Sequence, residues 1–97
     1  MSYNLQPDEN EAKVVVYSSP YYSGGSLNMV NIETNELIHI QNSSTYYNIW
    51  FYIIPNGTYR ITSIQSGYSV QTQGSMRSVN DIISFNNSGY FIFYPNN

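Results

Sequence analysis

Cysteine is absent from this chain. That excludes a disulfide scaffold, a thiolate nucleophile and any cysteine-ligated metal. Charge is nearly as scarce: three basic residues, Lys13, Arg60 and Arg77, stand against six acids. Nucleic acid is held through a basic footprint that displaces counterions, and no such footprint exists here. The same deficit argues against an anionic membrane surface. Long apolar runs are missing too. The longest is Ile49 to Ile54, far short of the ~20 residues that a membrane-spanning helix requires. No window carries a 3.6-residue hydrophobic period, so no long helix is expected. Histidine occurs once, as His39. A Ser–His–acid triad would have to use it, yet the nearby Glu36 lies an odd number of residues away on a predicted strand and therefore on the opposite face. No Gly-any-Ser-any-Gly elbow is present. The expectation is a protein that binds rather than catalyses. The polar, acidic stretch Met1 to Glu11 has neither a signal-peptide nor a transit-peptide pattern, which predicts a cytoplasmic location or export by a non-classical route.

What the chain does have is tyrosine, eleven of them in 97 residues, with Asn, Gln, Ser and Thr supplying most of the polar surface. The length suits one domain, residues 12–97, behind a flexible arm, residues 1–11. The chain is organised around Tyr46 to Ser66. Its first half holds the longest apolar run and the only tryptophan, Trp50. Its second half alternates, with Tyr59, Ile61 and Ser63 on one face and Arg60, Thr62 and Ile64 on the other. Between them, Pro55-Asn56-Gly57-Thr58 carries the Asn-Gly pair favoured in two-residue hairpin turns, so the stretch reads as a β-hairpin. Further strands are predicted over 12–17, 26–32, 36–41, 68–73, 81–85 and 90–94, with 74–80 as a loop. Leu27, Met29 and Asn31 share a face, as do Ile38 and Ile40. Eight short strands spaced by turns predict an all-β sandwich or barrel. Few lysines leave sheet edges weakly protected, so the edges are either covered or used to form a homo-oligomer.

A repeat is visible. Asn35-Glu36-Leu37-Ile38-His39-Ile40-Gln41-Asn42-Ser43 matches Asn80-Asp81-Ile82-Ile83-Ser84-Phe85-Asn86-Asn87-Ser88 almost type for type, and each is followed by an aromatic strand ending in Pro-Asn. Such an offset marks a repeated supersecondary unit, here about 13–45 and 46–97. The expected fold is thus all-β, with two four-stranded Greek-key-like repeats forming a β-sandwich.

Two local patterns resemble the βγ-crystallin family. In Tyr17 to Leu27, the aromatics Tyr17 and Tyr22 and the glycine Gly24 are similar to that family's folded-hairpin motif. Asn80-Asp81-Ile82-Ile83-Ser84 resembles its calcium signature. The resemblance implies calcium as cofactor, with side-chain oxygens from Asp81 and Ser84 and the backbone carbonyl of Ile82. A hard cation takes such oxygen ligands readily. Glu36, at the matching place in the first copy, is the further candidate ligand. A second resemblance competes. Asn48-Ile49-Trp50-Phe51, Asn56 to Ile61 and Ser66 to Val70 look like ricin-type lectin repeats, which implies a β-trefoil-like fold and carbohydrate binding.

The tyrosines divide by position. Tyr17, Tyr52, Tyr59 and Tyr94 lie in predicted strands and are expected to fill the core, each hydroxyl reaching an edge. Tyr21, Tyr22, Tyr46, Tyr47 and Tyr68 lie in or beside turns and are the candidate ligand-binding residues. They would face a glycan or a protein partner.

Overall fold

The fold is described from a computed structural model, which covers residues 6–19, 24–43 and 49–96. Among the described residues, nine strands run in chain order: β1 (Glu11–Ser18), β2 (Ser26–Asn31), β3 (Leu37–Gln41), β4 (Ile49–Pro55), β5 (Gly57–Ile64), β6 (Tyr68–Thr72), β7 (Ser75–Arg77), β8 (Ile82–Phe85) and β9 (Ser88–Pro95). They form two sheets, β4-β1-β9-β6-β7 and β3-β2-β5-β8. All pairings are antiparallel except β1 with β9. The all-β sandwich expected from the strand pattern is therefore what the chain forms. β7 is an addition, since Gly74 to Asn80 had read as a loop.

Alternation along each strand builds the core between the sheets. β1 turns Ala12, Val14 and Val16 inward, β2 turns Leu27 and Met29, and β9 turns Phe91 and Phe93. Tyr59, Ile61, Ile83 and Phe85 of β5 and β8 join Leu27 and Met29 on the inner face of the four-stranded sheet, opposite the β1 and β9 residues, with Trp50 and Tyr52 packed at the border. Two glycines permit close approach. A Cβ on Gly25, which holds φ +93°, would stand 2.4 Å from the Phe93 ring, and one on Gly89 would stand 2.2 Å from the Phe85 ring.

The central stretch is not a hairpin. β4 belongs to the five-stranded sheet and β5 to the four-stranded one, so Pro55-Asn56-Gly57 is a corner between sheets. Asn56 stays out of the left-handed region that a type I′ turn demands. Its polar groups hold the corner instead. The backbone N–H donates to the Asn10 carbonyl at 2.9 Å, the side-chain N–H to the Glu9 carbonyl at 3.2 Å, and Oδ1 accepts from the Asn87 N–H at 2.9 Å. Residues 8–11, read as part of a loose arm, are thereby fastened to the sandwich. Tyr59 closes the corner: its hydroxyl donates to the Pro55 carbonyl four residues back, at 2.6 Å. Tyrosine corners of this kind recur where a strand leaves one sheet for another in β-sandwiches. β1 and β2, on either side of the Tyr17 to Leu27 motif, belong to different sheets and do not pair with each other; residues 20–23 of that motif lie outside the described residues.

A bulge alters the reading of β5. Asn28 stands opposite Ser63 while Met29 stands opposite Ile61, so Thr62 is an extra residue. One inserted residue reverses the faces beyond it. Ser63 therefore points outward to Asn28, and Ile64 packs against the core.

Candidate functional site

The two repeat segments lie at opposite edges of one sheet, as β3 and β8. Each opens with an asparagine in the left-handed region, Asn35 at φ 63° and Asn80 at φ 79°. Each makes the same backbone pair. The N–H of Asn35 donates to the Asn31 carbonyl while the Asn31 N–H donates to the Glu36 carbonyl; likewise Asn80 donates to Ile61 and Ile61 to Asp81. The sequence similarity thus corresponds to a shared turn conformation.

That placement keeps the candidate metal ligands apart. β2 and β5 lie between Glu36 and Asp81, a separation of about 14 Å at the usual strand spacing. The Asp81 carboxylate accepts the Ser78 N–H at 2.8 Å, closing its own turn. The Ser84 hydroxyl pairs with that of Thr58 at 2.9 Å, and the Ser84 carbonyl accepts from the Gln73 amide. Ile82 stands opposite Arg60 with its side chain in solvent. Among the described residues, no three His, Asp or Glu side chains gather as a metal would require.

Of the candidate tyrosines, Tyr21, Tyr22, Tyr46 and Tyr47 lie outside the described residues. Tyr68 is half-buried, its ring edge-on to Phe93 at 6.4 Å. Tyr59 and Tyr52 do pack on the core, and the Tyr52 hydroxyl both donates to the Gln41 carbonyl and accepts the Gln41 N–H at 3.0 Å. Burial raises the pKa of the Tyr59 hydroxyl above the ordinary 10.0; a hydrogen bond with Asn31 opposes the rise and the Glu36 carboxylate adds to it.

Tyr17 and Tyr94 depart from the core-filling expectation, because β1 and β9 turn them to the outside of the five-stranded sheet. There they join a face that sequence reading did not assemble. The register lines up Ile49, Tyr17, Ile92, Gln71 and Met76 in one row across all five strands. Phe51, Val15 and Tyr90 form the next row. The parallel contact of β1 with β9, which places Tyr17 beside Ile92, left no local signal in the sequence.

On the β9–β6 side, this face becomes a ledge. The Tyr94 hydroxyl donates to Gln71 Oε1 at 2.8 Å, and the Tyr90 hydroxyl accepts the Gly74 N–H at 3.0 Å. Both rings, four residues apart on β9, thus lean toward β6 with their hydroxyls anchored. The Gln71 side-chain N–H groups remain available beside them, as do those of Asn96, whose Oδ1 accepts from Ser69 at 2.8 Å. Aromatic rings with neighbouring amide donors can stack on a pyranose face and bind its hydroxyls. His39, by contrast, sits on the other sheet. It is held by Asn28 Oδ1 at 2.8 Å and Gln41 Oε1 at 3.2 Å, with no carboxylate partner.

No known protein family, curated protein or solved structure matches this chain.

Proposed function

We propose that the chain is a non-enzymatic carbohydrate-binding module that engages an uncharged glycan on the outer face of its five-stranded sheet. The observation that carries this reading is the ledge of Tyr90 and Tyr94, whose hydroxyls are anchored while amide donors stand free beside the rings. Anchoring matters because a ring already fixed loses little conformational freedom on binding. The charge of the surroundings agrees. Lys13 is the one cation on this face and it lies over the Phe51 ring, 4.6 Å from its centroid, so nothing selects an acidic ligand. A glycan array probed with labelled protein at high concentration tests the reading. Binding that disappears in Tyr94→Ala, in a protein that still unfolds cooperatively, supports it; a blank array for the parent protein overturns it.

A further inference from the structure

The opposite outer face carries a second surface, and its observations are independent of the glycan reading. Four of the six exposed large apolar side chains among the described residues lie on or beside the four-stranded sheet: Leu37 at 66% exposure, Ile82 at 50%, Ile32 at 49% and Val79 at 46%. The register sets Leu37, Val30, Arg60 and Ile82 side by side in one row across all four strands, about 14 Å long. Ile32 extends the patch along β2, and the turn before β8 adds Val79. On the β3–β2 side the next row is polar and internally bonded: Asn28 bonds both Ser63 and His39.

Arg60 stands inside the apolar row, and its guanidinium is poorly matched there. Its contact is one donation from Nη1 to Asn80 Oδ1 at 3.4 Å, and no described carboxylate pairs with it. The other two cations are engaged, Lys13 over the Phe51 ring and Arg77 donating from Nε to the Thr72 carbonyl at 3.1 Å. The nearest acid by chain position, Asp81, is turned to the Ser78 N–H. A guanidinium carries five N–H donors in a fork that fits a carboxylate bidentately. Flanked by aliphatic side chains, it selects a group in which a carboxylate adjoins apolar surface.

We propose that this face docks a protein segment presenting a carboxylate beside aliphatic side chains, with Arg60 binding the carboxylate and Leu37, Val30 and Ile82 taking the apolar flanks. A second copy of this chain is the poorer occupant, since two-fold packing of the row would set Arg60 against its own counterpart.

N-acetyl-leucine carries the minimal chemistry, and N-acetyl-leucinamide is the same probe without the carboxylate. Both are titrated at millimolar concentration into nitrogen-15-labelled protein and followed by NMR. The acid should shift the amide signals of Val30, Leu37, Arg60 and Ile82, and the amide should shift them several-fold less. Arg60→Gln should abolish that difference while the spectrum stays dispersed, and Leu37→Ser should weaken the response to both probes. Equal shifts from the two probes overturn the proposal. So do shifts confined to Tyr90 and Tyr94, or signals of the row that move with protein concentration alone. A blank glycan array bears on the ledge and leaves this face untouched.

Discussion

The two outer faces of the sandwich are built on the same principle and present opposite chemistry. On the four-stranded sheet, Asn28 hydrogen-bonds across strands to Ser63 and His39, His39 bonds Gln41 along β3, and one apolar row remains around Arg60. On the five-stranded sheet, Ile49, Val15, Tyr17, Tyr90, Ile92 and Tyr94 spread apolar and aromatic surface over three adjacent strands. A sandwich needs only its inner faces to be apolar. The polar outer residues Asn28, Ser63 and His39 are thus what folding alone would select, and the apolar row around Arg60 and the aromatic face are what need another explanation. A contiguous apolar patch on an outer surface generally marks a contact site.

The comparison is sharpest along one strand. β9 sends Phe91 and Phe93 inward and Tyr90, Ile92 and Tyr94 outward. If the inner set holds the fold and the outer set serves recognition, Phe93→Ala should cost about 3–5 kcal/mol, as for other buried Phe truncations. Ile92→Ser, one residue earlier, should cost less than about 1.5 kcal/mol. Urea unfolding of both variants measures the contrast. Similar losses would mean that the outer face is itself part of the core. Gly89→Ala comes next in size. Its Cβ would enter the Phe85 ring, so overpacking should destabilise by about 1–3 kcal/mol.

The corner that divides β4 from β5 gives a smaller effect with a pH signature. Tyr59→Phe removes the hydrogen bond to the Pro55 carbonyl, worth about 1 kcal/mol. The folded state holds the Tyr59 hydroxyl protonated above its ordinary value of 10.0. As pH rises past that value the unfolded chain releases the proton first, so the folded state binds more protons and stability falls with increasing pH. This contribution is complete below about pH 10 and is lost as pH rises through the folded-state pKa. Tyr59→Phe should flatten that part of the alkaline limb. Parallel limbs for the two proteins would count against the buried hydroxyl as its source.

How much of this was legible beforehand depends on the range of the cause. Alternation is local, so the sequence alone groups Leu27, Met29 and Asn31 on one face and Ile38 and Ile40 on one face, and both sets turn inward. The Asn35 and Asn80 turns were visible as a repeat, because each depends on a few adjacent residues. The corner at Asn56 was misread because Asn-Gly fits a hairpin equally well; the decision falls to Glu9, Asn10 and Asn87, which are distant in sequence. The faces of Ser63 and Ile64 were exchanged by a bulge, set by the pairing of β5 with β2. The aromatic ledge was hidden for the same reason. Tyr17 and Tyr94 looked like core residues, and only the parallel β1–β9 contact makes β9 an interior strand with an outer surface shared by β1 and β6.

The smallest expected effect concerns the polar sheet, where two acids occupy matching turns. Were Asp81 the centre of a calcium site, metal bound only by the folded state would raise stability by about 2.7 kcal/mol at a hundred times its dissociation constant. The Asp81 carboxylate already accepts the Ser78 N–H, and Glu36 stands at the far edge of the sheet. A lone carboxylate beside a hydroxyl bonded elsewhere offers fewer oxygens than the six to eight that calcium takes. The midpoint of thermal unfolding should therefore be the same in excess EDTA and in several millimolar calcium. Asp81→Ala should cost about 0.5–1.5 kcal/mol under both conditions through loss of the turn hydrogen bond. A midpoint that rises with calcium in the parent and not in Asp81→Ala would show that the turn gathers ligands, and would shift the search for function from the aromatic face to the polar one.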